Sequence, residues 1–311
     1  MIRASIDLGT NTCLLLLAEV ESGQIKKVLG DYAGIIRLGE GVDQTRSLHP
    51  EAIERTLMCL AEYKSIISEA GISPGDVVCV ATSHARDASN GEAFFDKAVE
   101  ECGFRFKVLS GKDEARLSFI GSLLPGMDPS HYAVVDVGGG STEFVTAKED
   151  RSVGLGSVRF TERYLGSDPV TDEEFIKCLD KIDNRLKELA GWRSSIPVDI
   201  QMLAVAGTAT TLASWHLEQE TFNAAEVEKV QLSEENLQQM VEDLKAMTVA
   251  ERREQVGIEP KRADVLLAGA MIMWRTMGKL RFPICSISSR GLRYGVLMDL
   301  RIQEFRNCTI P

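Results

Sequence analysis

Two short glycine-containing signatures, Asp7-Leu8-Gly9-Thr10-Asn11-Thr12 and Asp136-Val137-Gly138-Gly139-Gly140-Ser141-Thr142, constrain the fold of this chain more than any other feature. Each opens on an aspartate that ends an apolar run, Ala4-Ser5-Ile6 or Ala133-Val134-Val135. Each leads directly into a second apolar run, Cys13 to Val20 or Phe144 to Ala147. The pattern is strand, tight turn, strand, because Gly and Asn accept the positive φ that such turns need. Turns of this kind gather backbone N–H groups and hydroxyls into an anion nest. The neighbouring carboxylate would repel a phosphate unless a cation lay between them. With Asp7 and Asp136 lying 129 positions apart, the spacing predicts two similar halves facing each other across a phosphate and a metal ion.

Size agrees with two halves. A chain of 311 residues exceeds one ordinary core and suffices for two. Its 44% hydrophobic and 26% charged content is that of a soluble globular protein. The longest apolar stretch, Cys13 to Ala18, falls far short of the roughly 20 residues that span a membrane. No apolar signal segment follows the start, where Arg3 and Asp7 flank the first short run. The seven scattered cysteines form no Cys-x-x-Cys pair, which points to reduced thiols in the cytoplasm rather than structural zinc or disulfides. A net charge of −11 argues against bulk nucleic-acid binding. It leaves room for a small basic cleft, to which Lys261-Arg262 or the Arg290 to Arg293 stretch could contribute.

The first half reads as a strand meander (2–8, 13–20, 25–30), a helix over Leu48 to Ala70, and a buried strand at Val77 to Ala81. A helix from Gly91 to Cys102, a strand at Phe106 to Leu109 and a helix from Asp113 to Leu123 follow. Leu124-Pro125-Gly126 breaks the pattern and marks the expected boundary. The second half restarts with a strand, the glycine turn, a strand and a third strand near Arg151 to Leu155. Helices are expected at about 157–165, 172–190, 261–278 and from about Leu292 to Phe305, with an amphipathic stretch at 233–246 and strands at Met202 to Ala206 and Ile284 to Ser288. Alternation of this kind predicts two α/β lobes with mixed sheets flanked by helices.

A third turn, Ala206-Gly207-Thr208-Ala209-Thr210, places Gly207 and Thr208 at the start of a helix, where free N–H groups favour an anion. The same residues also suit a routine helix cap. Glu143 follows the second turn and reads either as a solvated strand charge or, beside Asp136, as part of an oxygen-ligand site for Mg²⁺.

The two turns occur in order with Arg37-Leu38-Gly39-Glu40-Gly41-Val42, Ala81-Thr82-Ser83-His84-Ala85-Arg86-Asp87-Ala88 and Ser110-Gly111-Lys112-Asp113-Glu114-Ala115. Leu155-Gly156-Ser157-Val158-Arg159, Ala206 to Thr211 and Ser289-Arg290-Gly291-Leu292-Arg293-Tyr294-Gly295 complete the series. Together they resemble the exopolyphosphatase / guanosine pentaphosphate phosphohydrolase family of the actin-like ATPase superfamily, over nearly the whole chain. The resemblance implies two actin-like (ribonuclease H-like) lobes with the active site in the interlobe cleft. Residues 1–124 would form the first lobe and 125–298 the second, with a last helix, about 299–311, packing back on the first. It implies removal of the terminal phosphate from polyphosphate or guanosine pentaphosphate. Glu114 would be the general base, and Arg86 a phosphate contact. Asp136 and Glu143 would hold Mg²⁺, with a monovalent cation as an open second requirement. Phosphate would be cradled by Asp7, Gly9, Thr10, Asn11 and Thr12, by Gly138, Gly139, Gly140, Ser141 and Thr142, and by Gly207 and Thr208. Family members often pair, which makes a homodimer an expectation.

The departures from the pattern are few. Thr10-Asn11-Thr12 stands where many members have serines, His84 replaces a small residue, and Asp113 precedes Glu114 as a second acid. The chain resembles the short form, without a C-terminal His-Asp helical domain. An actin-like kinase and a nucleotide-gated scaffold are the alternatives.

Overall fold

A computed structural model describes residues 1–82 and 88–299. The chain divides into two compact units, Met1–Gly121 together with the segment from Gly291 onward, and Ser122–Arg290. Each unit holds one mixed sheet with helices against it.

In the first unit, β1 (Ile2–Leu8), β2 (Thr12–Glu21), β3 (Gln24–Ile35), β4 (Val77–Ala81) and β5 (Lys107–Val108) lie in the order β3-β2-β1-β4-β5. The β1–β2 and β2–β3 pairs are antiparallel, while β1–β4 and β4–β5 are parallel. Strand alternation divides the apolar residues between two faces. Cys13, Leu15 and Leu17 join Leu60, Tyr63 and Ile67 of α1 (Pro50–Glu69) in one core cluster. Leu16, Ala18 and Val20 face Tyr294 and Leu297 of a C-terminal helix, Leu292–Met298. Buried on both sides, β4 is a continuous apolar run, as central parallel strands are, whereas β1 is buried from Arg3 to Leu8 yet alternates apolar residues with Arg3, Ser5 and Asp7.

Helices α2 (Gly91–Lys97) and α3 (Gly111–Ser122) complete the segment before the boundary. The C-terminal helix crosses α3 at a contact that admits only glycine. A Cβ on Gly121 would overlap the Gly291 carbonyl oxygen, and one on Gly295 would overlap the Leu117 carbonyl oxygen. Both obstacles are backbone, which cannot rotate away. Gly295→Ala is expected to destabilise the first unit by about 3 kcal/mol through overpacking, read as a fall in the urea midpoint. An unchanged midpoint would mean that the helices separate freely.

The second unit repeats the plan. Its strands β6 (Tyr132–Val137), β7 (Thr142–Val145), β8 (Asp150–Val153), β9 (Gln201–Val205), β10 (Gln231–Leu232) and β11 (Cys285–Ile287) lie in the order β10-β11-β9-β6-β7-β8. The run β8-β7-β6-β9 matches β3-β2-β1-β4 in order and direction. This is the duplicated mixed-sheet architecture that the resemblance implies. Helices α4 (Ser157–Tyr164), α5 (Asp172–Leu186), α6 (Ala206–His216), α7 (Glu234–Ala246) and α8 (Leu266–Leu280) lie in this unit, and the C-terminal helix Leu292–Met298 is α9. Helix α8 is buried along almost its whole length and contacts α5, α6 and α7.

Three expectations are corrected. Helix α8 begins at Leu266 rather than 261, because Pro260–Arg262 forms a separate 3₁₀ turn. The helix from 172 ends at Leu186, and a 3₁₀ turn leads into a short helix, Ala190–Ser195. Helix α9 ends at Met298, and the expected segment beyond Asp299 lies outside the described residues. Among the described residues no helix is long and apolar enough to cross a membrane.

Candidate active site

The two signature turns close with the same hydrogen bond. Gly9 N–H donates to Thr12 O at 2.9 Å, and Gly138 N–H donates to Ser141 O at 3.0 Å. In each unit the turn joins the first two, antiparallel strands of the sheet. Asp7 and Asp136 hold equivalent places on β1 and β6, one residue before the strand end.

In the first unit the turn is braced from one side. Asn11 O accepts from Ile36 and Arg37 N–H, at 2.9 and 3.1 Å, and Thr10 O accepts from Gly39 N–H at 2.9 Å. The Arg37-Leu38-Gly39 segment thus grips the turn by its backbone. Asp7, Thr10 and Asn11 are buried.

The second turn is braced by α4 in the same manner. Gly138 O accepts from Ser157 N–H at 2.9 Å, and Gly139 O accepts from Arg159 N–H at 3.0 Å. A Cβ on Gly156 would strike Gly139 and Gly140, so this approach depends on glycine. Thr142 Oγ1 donates to Leu155 O at 2.6 Å, so its hydroxyl is engaged by structure and not aimed at a ligand.

Beyond the turns the two halves differ in the residue that faces the signature aspartate. Strand register sets Asp136 opposite Glu143, while in the first unit Asp7 faces Leu14. Glu143 is only 5% exposed. Its Oε1 accepts from Ser141 Oγ at 2.7 Å and from Ser152 Oγ at 2.9 Å. Burial first, and then the charge of Asp136, push its pKa up to about 7, against the pull of the two serines. Two facing carboxylates, one desolvated, are a donor set that a hard divalent cation would relieve. Mg²⁺ uses one or two carboxylates together with phosphate oxygens, so the residues fit it. Among the described residues no cluster of three or more His, Cys, Asp or Glu is placed to enclose a metal by protein ligands alone.

Glu114 lies in the first turn of α3 beside Asp113, and their surroundings separate them. Ser110 Oγ donates to Asp113 Oδ2 at 2.8 Å and accepts from Asp113 N–H at 3.1 Å. Asp113 therefore closes the end of the helix. Glu114 N–H starts the helical ladder on Ser110 O at 2.9 Å, and its half-buried side chain is one residue further round. Arg86 lies outside the described residues.

The third turn opens α6. Ala206 takes a left-handed φ of 68°, and Thr210 Oγ1 donates to Ala206 O at 3.2 Å. Thr208 is buried against Gly269 of α8, where a Cβ would fall 2.6 Å from the threonine hydroxyl. A Cβ on Gly207 would overlap the Arg262 guanidinium, so this arginine lies directly against the turn. Burial lowers the Arg262 pKa, and Glu259 opposes that. The basic pair Lys261-Arg262 suggested a positive cleft, but its contact with Gly207 depends on tertiary packing and was not readable from spacing. The other basic stretch is engaged elsewhere. Arg293 makes a forked pair with Asp31 at 2.8 and 2.8 Å, and Arg290 pairs with Glu228 at 3.5 Å.

The Ppx/GppA phosphatase family model matches residues 16–304. The chain is 34% identical to the bifunctional 3-dehydroquinate synthase/phosphatase of Fusobacterium nucleatum over 96% of its length, but spans only 46% of that relative. It is 33% identical to exopolyphosphatase 2 of Mycobacterium tuberculosis, covering 96% of this chain and 98% of the relative. A solved exopolyphosphatase-like protein superposes with a TM-score of 0.88 at 31% identity, over 96% of this chain and 97% of the other. With a matching model over most of its length and relatives above 30% identity, the chain belongs to the Ppx/GppA phosphatase family and is by class a phosphoanhydride hydrolase.

Proposed function

We propose that this chain releases the terminal phosphate of inorganic polyphosphate in a Mg²⁺-dependent reaction, with guanosine pentaphosphate as a second candidate substrate. The observation that carries the reading is the Asp136–Glu143 pair, placed at one of two matching anion turns. A phosphate nest alone would bind an anion. A nest with facing carboxylates, one held near neutral pKa, suits a phosphate that arrives with a cation.

In this reading Glu114 accepts a proton from the attacking water as its oxygen bonds to the terminal phosphorus. The phosphoanhydride P–O bond breaks, leaving orthophosphate and a chain shorter by one phosphate. With the Gly9 and Gly138 N–H groups closing the turns, the N–H groups at the turn tips, Thr10 and Asn11 in the first and Gly139 and Gly140 in the second, orient the phosphates, and Gly207 and Thr208 add a third anchor. Mg²⁺, held by Asp136 and Glu143, would offset charge on the phosphate oxygens. Arg86 is assigned to the phosphate by resemblance alone.

The test is phosphate release, with and without Mg²⁺, from long polyphosphate, short polyphosphate and guanosine pentaphosphate, with ATP as control. Release from polyphosphate that ceases in EDTA is the expected result. Preference for the guanosine compound would change the substrate but keep the chemistry. Release from none of them, or phosphate transfer from ATP to an acceptor, would overturn the hydrolase reading.

A further inference from the structure

The second unit carries a basic cavity of about 470 Å³ at the end of its sheet remote from the signature turns. Val198 lies just before β9, and Lys279 to Arg281 lie shortly before β11. The turns follow the opposite, C-terminal ends of β6 and β9. Strand direction therefore separates the cavity from the candidate active site by the length of β9.

Four cations line the cavity: Lys187, Arg193, Lys279 and Arg281. Asp183 also lines it, but already receives a fork from Arg275 at 2.7 and 2.7 Å, and Lys279 at 3.0 Å. Arg193 gives its donors to neutral acceptors: the carbonyls of Leu280, Pro197 at 3.1 Å and Val198 at 3.0 Å. Its guanidinium also stands over the Phe282 ring at 5.7 Å. Burial, and then the charge of Arg281, lower the Arg193 pKa, as expected where like charges are held together. Leu186, Leu280 and Ala190 add an apolar floor.

On a chain of net charge −11, such a concentration of cations selects for an anion. We propose that this cavity is a second anion site, which binds the phosphate chain of a nucleoside polyphosphate or of inorganic polyphosphate away from the reacting centre. Spacing the cations around one cavity suits several linked phosphates better than a single carboxylate. The apolar floor distinguishes the two sources, since only a nucleotide carries a group to cover it.

Hydrogen exchange on the full chain in EDTA and low salt tests this, with tripolyphosphate in one arm and GTP in the other. Protection over 187–198 and 279–283 is expected, and should weaken as salt rises. Lys187 and Arg281 are exposed, so Lys187→Glu and Arg281→Glu should fold normally. Each should weaken the protecting affinity about tenfold while leaving phosphate release unchanged. Protection by tripolyphosphate supports an inorganic chain, and protection by GTP alone supports a nucleotide. Absence of protection in both arms, or equal protection in the charge-reversed variants, overturns the proposal. Neither outcome depends on hydrolysis, so it stands or falls apart from the proposed activity.

Discussion

Glu114→Gln is expected to lower phosphate release about a thousandfold while substrate affinity stays within a few-fold. General-base catalysis contributes on the order of 10²–10⁴. The amide keeps the size and hydrogen-bonding reach of the carboxylate but accepts no proton. Asp113→Asn is the informative comparison, because the Ser110 hydroxyl already occupies that carboxylate at 2.8 Å. Its loss should cost about 1 kcal/mol of stability through a weakened cap, with the rate within about fivefold of the parent. Single-turnover rates and direct binding measurements on both variants separate the two acids. A fully active Glu114→Gln alongside an inactive Asp113→Asn would transfer the base role to Asp113.

That ambiguity illustrates how far the sequence could be read. Two adjacent acids at a helix start look alike in a string of letters, and only the serine three residues earlier, seen in place, assigns one of them to the helix end. Features with local causes were legible. Val77–Ala81 is five apolar residues between Asp76 and Thr82, and the strand has those bounds. Both turns stand where the glycine signatures put them and close with the same backbone hydrogen bond, but none of their residues takes the positive φ expected of Gly and Asn there. Features with tertiary causes were not. β3 runs on to Ile35 through Gly30 and Gly34, residues that ordinarily weaken a strand. Gly34 is needed there because it sits opposite Cys13, where a Cβ would fall 2.5 Å from Cys59 Sγ. β10 is two residues long and exists only through its pairing with β11. Glu143 could be named from its neighbours, but its burial and its bond from Ser152 depend on the register of β7 with β8.

The same burial makes Glu143 a test of whether Mg²⁺ binds at this position. Its pKa is about 7 in the folded chain against an ordinary 4.5, so the folded state retains a proton that the unfolded state has released. Stability from this group is complete below about pH 4.5 and is lost as pH rises through about 7. The full difference is worth about 3 kcal/mol. Glu143→Gln removes the titration and keeps an oxygen for Ser141 and Ser152. In EDTA the variant should match the parent near pH 4.5 and exceed its stability by up to about 3 kcal/mol above pH 7. Mg²⁺ should reverse that order, since a cation stabilises only the state that binds it, and the amide is a poorer ligand than the carboxylate. Urea unfolding at pH 5 and pH 8, with EDTA or with Mg²⁺, gives all four arms. Identical pH profiles for parent and variant would show that the carboxylate is not desolvated in solution. Equal Mg²⁺ stabilisation of both would place the cation elsewhere. If instead only the parent gains, the strain of two facing carboxylates in the metal-free chain is what Mg²⁺ relieves, and Asp136→Asn should release part of the same strain by removing the second charge.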